Sequence, residues 1–178
     1  VCKKWYQGIG KSKDCMSKVV FNLGYEVQIP VIRNSDRQYQ NIKIKSAAKS
    51  KMANFREILI KFSTSLISIE SVTDIDDMNE VHFPSLKKIA LNSRKHYYKK
   101  GLLCSSTNAT ELYFKNEIRN LIASENKLFE HLRLYQNLKI LEMPCLDLSY
   151  TDMNAPKMKE LNLKLKTLKL NQNYFLFS

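Results

Sequence analysis

Glycine and proline are scarce in this chain of 178 residues, four of each. That scarcity excludes a linker-rich or low-complexity protein, since such segments are built from Gly, Pro and Ser. Long apolar runs are missing as well, and nothing approaches the roughly eighteen consecutive apolar residues of a membrane helix. The opening Val1-Cys2-Lys3-Lys4-Trp5 has no apolar stretch of the kind that marks a signal peptide. It also has no initiator Met, which suggests a piece of a longer protein. The four cysteines, Cys2, Cys15, Cys104 and Cys145, include no Cys-x-x-Cys pair and no His at metal-ligand spacing. Dispersed thiols without secretory features point to reduced side chains and a cytoplasmic or nuclear setting. In that setting the sequon Asn108-Ala109-Thr110 reads as chance.

Chemistry-bearing constellations are also lacking. His82, His96 and His131 are far apart and have no Cys or acidic partner in a catalytic pattern. Gly8-Ile9-Gly10-Lys11-Ser12 lacks the four-residue spacing of a phosphate-binding loop, and no apolar strand precedes it. Counted from Asp74, an EF-hand would need Gly at its sixth position and Glu at its twelfth. The residues there are Asn79 and Ser85. No catalytic residue, no metal site and no cofactor is expected, and the chain reads as a binding protein, not an enzyme.

What the chain does have is apolar content of 44%, enough for one domain with a buried core. It also has a formal net charge of +12. The charge is uneven. Asp74, Asp76, Asp77 and Glu80 form an acidic stretch, while Arg94, Lys95, His96, Lys99 and Lys100 surround Tyr97 and Tyr98. A basic excess of this kind attracts polyanions through counterion release, so a scaffold that binds nucleic acid is one reading. Lysine and asparagine are abundant throughout, however, and a general composition bias would produce the same excess.

A recurring apolar pattern is the stronger signal. Leu86, Ile89 and Leu91 repeat a spacing found at Leu138, Leu141 and Met143, at Met158, Leu161 and Leu163, and at Leu165, Leu168 and Leu170, the last followed by Asn173. Weaker copies run through Met16, Val19 and Phe21, through Tyr39, Ile42 and Ile44, through Leu66, Ile69 and Ser71, and through Ala109, Leu112 and Phe114. The fourth positions, Val19, Ile42, Ile69, Ile89, Leu112, Leu141 and Leu161, are separated by 23, 27, 20, 23, 29 and 20 residues. This pattern resembles the leucine-rich repeat, whose period is roughly 20 to 29 residues. Leu161 and Leu168 are too close to anchor separate repeats.

The resemblance implies an α/β fold, an irregular leucine-rich-repeat solenoid with a concave parallel sheet and convex helices. Met52, Phe55, Ile58, Leu59 and Phe62 have helical spacing within 50–62, and a similar pattern within 116–134 includes Ile118, Leu121, Ile122, Leu128, Phe129 and Leu132. The acidic 74–80 stretch suits a polar turn, and Pro84 and Pro156 each precede a strand. Alternation along each strand sends the apolar consensus inward and the variable positions to the concave face. Those variable positions are Asn41, Lys43, Lys45, Ser68, Glu70, Val72, Lys88, Ala90, Asn92, Glu111, Tyr113, Lys115, Ile140, Glu142, Pro144, Glu160, Asn162 and Lys164. From them, Lys43, Lys45, Glu70, Lys88, Asn92, Glu111, Tyr113, Glu142 and Asn162 are the candidate substrate-binding residues.

Val1-Cys2-Lys3-Lys4-Trp5-Tyr6-Gln7-Gly8-Ile9 resembles the C-terminal end of an F-box, where a Val-Cys pair, a basic residue and a Trp close the last helix. F-box end followed by repeats is the order of the F-box and leucine-rich-repeat proteins. That resemblance implies a substrate receptor of a ubiquitin ligase, with Val1, Cys2, Trp5 and Tyr6 toward a Skp-type adaptor and, through it, a cullin. It implies two parts, residues 1–15 as the F-box remnant and 16–178 as the repeat domain, with a protein substrate that the basic charge suits to be acidic or phosphorylated. Trp5 and Val1 would also serve a bare N-terminal cap over the first repeat, since a repeat array needs its ends covered. A purely structural interaction module is the remaining reading.

Overall fold

The computed structural model describes residues 8, 12–24, 28–45, 52–72, 75, 78, 80–92, 101–115, 132–144 and 165–171. Within them lie strands β1 (Val20–Leu23), β2 (Asn41–Ile44), β3 (Ser68–Ser71), β4 (Lys88–Leu91), β5 (Glu111–Phe114), β6 (Ile140–Pro144) and β7 (Thr167–Asn171). Helix α1 (Lys13–Lys18) precedes β1, and between the strands run α2 (Gln28–Arg33), α3 (Met52–Phe62) and a short 3₁₀ turn at Cys104–Ser106. The class is α/β. The seven strands form one all-parallel sheet whose spatial order is the sequence order.

Parallel neighbours need a long return connection, and α3 supplies the clearest one. Phe55, Ile58, Leu59 and Phe62 follow an i, i+3, i+4, i+7 spacing and are all buried, while Glu57 and Lys61 on the other side are exposed. Near its C-terminal end Lys61 reaches across to α2. Its Nζ donates to the carbonyls of Ile32 at 3.4 Å and Ser35 at 2.8 Å, and to that of Arg33 as well. The Ile32 and Arg33 carbonyls close α2, where a cation is favoured by the helix dipole. Arg33 in turn pairs with Glu57 at 2.5 Å. At the other end of the chain α1 starts on Ser12, whose hydroxyl accepts from the Cys15 amide at 3.4 Å.

Strand entry follows one backbone rule. The carbonyls of Gln40, Ile67, Lys87, Thr110 and Lys139 each accept from two consecutive amides at the start of the next strand. Gln40, for example, takes Ile67 at 2.7 Å and Ser68 at 3.0 Å. At the exit, the amides of Lys45, Val72, Asn92 and Lys115 donate to the last carbonyls of the preceding strands. The connections differ in length, and the strands they deliver are nonetheless in register.

That register places Phe21, Ile42, Ile69, Ile89, Leu112, Leu141 and Leu168 side by side. The five central residues match the apolar rung read from the sequence, and each is 0–1% exposed. Both ends are corrected. Val19 precedes β1 and is 38% exposed, and Phe21 takes its place. The Val19-Val20-Phe21 cluster permits two frames of the same parity, and burying Leu23 beside Ile44 selects the later one. Met16, read as part of that strand copy, is a buried residue of α1. At the C-terminal end the residue paired with Leu141 is Leu168, and Leu161 lies outside the described residues.

The covered face of the sheet holds the core, extended by residues of the connections. Ile75 and Met78 are fully buried, so the acidic 74–80 stretch contributes packing as well as charge. Leu102 and Leu103 are buried beneath the 3₁₀ turn, and Tyr135 donates its hydroxyl to the Leu103 carbonyl at 2.6 Å. Of the second expected helix, Leu132 is described, helical and buried. Residues 116–131 lie outside the described residues, as do Pro156 and the segment 93–100.

Candidate binding surface on the open face of the sheet

All-parallel sheets usually have both faces covered by their crossovers. Here the second face is polar and partly accessible. Strands β2, β3 and β5 alternate between half-buried and fully buried positions, and the half-buried positions are the variable ones of the sequence. Register sets them in rows. One row is Val20, Asn41, Ser68, Lys88, Glu111, Ile140 and Thr167, and the next is Asn22, Lys43, Glu70, Ala90, Tyr113, Glu142 and Lys169.

Glu70 is the hub of the second row. Its Oε1 accepts from Lys43 Nζ at 2.6 Å and from Lys115 Nζ at 3.1 Å. Burial pushes the Glu70 carboxyl up, but the hydrogen bonds and positive charge of the two lysines outweigh it and hold the group below its ordinary value. Lys43 comes from the adjacent strand, whereas Lys115 follows β5, two strands away, roughly 9.5 Å at the usual strand spacing. The residue of β4 in register between Glu70 and Tyr113 is Ala90. A side chain of one carbon leaves the line between Lys115 and Glu70 open. Ala90 is consequently only 2% exposed although it belongs to the open face.

Tyr113 is the aromatic neighbour of this recess. Lys88 Nζ stands 4.7 Å from its ring centroid, a cation–π distance. Its hydroxyl donates to Glu111 Oε2 at 3.0 Å. Burial, the bond to Glu111 and the charges of Glu111 and Glu142 all push the phenol above its ordinary value. Further along, Ser68 donates to Asn41 Oδ1 at 2.7 Å, and the Asn41 amide donates to the carbonyls of Ser17 and Val19. The first row is thus tied back to the end of α1.

The structure therefore brings Lys43, Glu70, Lys88, Glu111, Tyr113 and Glu142 onto one surface, with Lys45 and Asn92 just beyond the strand ends on the same side. Asn162 lies outside the described residues, and the residue paired with Glu142 on the seventh strand is Lys169. Val1, Cys2, Trp5 and Tyr6, expected at the adaptor, also lie outside the described residues. Lys115 and Ala90 stand among the variable positions, but nothing in the sequence distinguishes them. Their importance depends on which residues flank them across strands 20 or more positions apart.

Among the described residues no group of three His, Cys, Asp or Glu side chains could hold a metal ion, and no helix is long and apolar enough to cross a membrane. The chain matches no protein-family model, no curated protein and no solved structure. What the described surface offers chemically is charge and hydrogen bonding across about 19 Å, from Lys43 on β2 to Glu142 on β6, at four strand spacings.

Proposed function

We propose that this chain is the repeat portion of an F-box and leucine-rich-repeat protein, a receptor that presents a protein substrate to a Skp-type adaptor and a cullin. In this reading the sheet is the concave wall of a leucine-rich-repeat solenoid, and α3 belongs to its convex side. The observation that carries it is the rung of Ile42, Ile69, Ile89, Leu112 and Leu141, five anchors of one sequence pattern in register on consecutive parallel strands. Support also comes from the open polar face, since repeat arrays use such surfaces for binding. The adaptor end rests on the likeness of Val1 to Ile9 to the last F-box helix.

Adaptor capture tests the assignment. The full-length protein should co-purify with a Skp adaptor, and Trp5→Ala should weaken that capture while circular dichroism shows the sheet still folded. Full-length protein without affinity for any Skp adaptor would remove the ligase role and leave a repeat scaffold. The nucleic-acid reading depends on Arg94 to Lys100, outside the described residues. On the open face the lysines are interrupted by Glu70, Glu111 and Glu142, an arrangement unlike the continuous basic track that a phosphate backbone favours.

A further inference from the structure

The contact between Glu70 and two lysines has a form that a partner could reproduce. One carboxylate oxygen is held by ammonium groups that arrive from either side, and the three side chains remain 33–44% exposed. Lys45 lies two residues beyond Lys43 on the same face, and Lys88 stands beside Ala90 at the Tyr113 ring. Two ammonium groups thus meet one carboxylate, so the contact keeps a positive charge after Glu70 is counted, with Lys45 and Lys88 further along the same face.

We propose that this cluster is a seat for a carboxylate of an acidic polypeptide segment, and that Glu70 is the chain's own occupant of that seat. The inference rests on the open face being the surface that receives a protein partner. An arriving Asp or Glu takes the ammonium groups of Lys43 and Lys115, and the Glu70 side chain turns out into solvent. Exposed ion pairs contribute little to folding, so the exchange leaves the sheet intact. Ala90 provides the low floor that lets a guest approach both lysines at once.

Charge complementarity sets both the guest and its direction. No arginine stands on the described open face, and bidentate arginine is the group best matched to phosphate, so lysine point charges favour a carboxylate. Beyond Tyr113, Glu111 and Glu142 repel further acidic residues. The acidic part of the segment therefore extends from Ala90 toward β2, and the part over β5 and β6 is neutral or basic.

Fluorescence anisotropy on the full chain tests the seat, using a short peptide alternating Glu and Ala, its Gln counterpart and its phosphoserine counterpart. The Glu peptide should bind in a salt-sensitive manner and the Gln peptide should not. Lys43→Gln and Lys115→Gln should each weaken binding about tenfold, the change expected from one lost charge-assisted hydrogen bond. Glu70→Gln should tighten binding by removing the competitor, and Lys18→Gln, on α1, should leave it unchanged. Thermal melts of the variants separate lost binding from lost folding. Weaker or unchanged binding by Glu70→Gln would show that Glu70 positions the lysines and would overturn the proposal. Equal binding of the Gln peptide, or much tighter binding of the phosphoserine peptide, would overturn the carboxylate assignment. Because adaptor capture is read through residues 1–6, it can fail or succeed independently of these outcomes.

Discussion

Ala90 shows how much a small side chain can determine. It lies in register between Glu70 and Tyr113, and its size lets Lys115 reach a carboxylate two strands away. Ala90→Leu should place a branched side chain across that line and release Lys115. Glu70 then loses one of the two lysines that depress its pKa, and its carboxyl titration, followed by carbon-13 NMR, should move up toward its ordinary 4.5. A carboxyl with a lowered folded-state pKa stabilises above its unfolded value and loses that contribution as pH falls through the folded value. The Glu70–Lys43 contact should therefore persist at neutral pH and disappear in acid, at a lower pH in the native chain than in Ala90→Leu. The sequence marks position 90 as variable and outward-facing, but its consequence depends on residues 70 and 115, which no local pattern links.

Among the elements, those with a long periodic signature were the legible ones. The apolar spacing of Met52–Phe62 marks α3, because eleven residues complete three turns and set Phe55, Ile58, Leu59 and Phe62 on one side. By contrast α2 has six residues, contains Pro30, buries Ile32 and leaves Val31 70% exposed, so it carries no period to detect. Tertiary contact with α3 holds it instead, through Lys61 on its final carbonyls. Lys61→Met keeps the apolar stem and removes the donor. It should lower stability by about 1 kcal/mol, as expected for a partly exposed cation at a helix C-terminus, and chemical denaturation with unchanged m-value would measure the loss. The end strands failed for another reason. Consecutive apolar residues near Val19 and the paired candidates at Leu161 and Leu168 each offer two frames, and only pairing with a neighbouring strand chooses between them.

Across the whole molecule, spatial order follows chain order, so each strand of the sheet bonds only to the strands before and after it. Damage in such an arrangement is local, since stability is close to a sum of units and nearest-neighbour interfaces. Leu141 is fully buried on β6. Leu141→Asp should speed hydrogen exchange in β5, β6 and β7 far more than in β1 and β2, and uniform loss of protection would instead mean that the sheet folds as one cooperative unit. The central anchors and the polarity of the open face could be read from the spacing of apolar residues, and the parallel sheet from what the repeat resemblance implies. The network on that face could not, because it depends on which side chains reach one another across strands, as Lys43 and Lys115 reach Glu70 from 27 and 45 residues away.

The doubled hydrogen bonds at strand entry bear on how such a surface can change over time. Gln40, Ile67, Lys87, Thr110 and Lys139 accept there through main-chain carbonyls, and the amides they bind are also main chain. Alignment thus asks nothing of the outward side chains and tolerates insertion or deletion in the loops between strands. Substitutions on the open face can accumulate without shifting the frame that displays them. A lineage carrying this architecture can change the side chains it displays, residue by residue, while the main-chain bonds that align its strands stay the same.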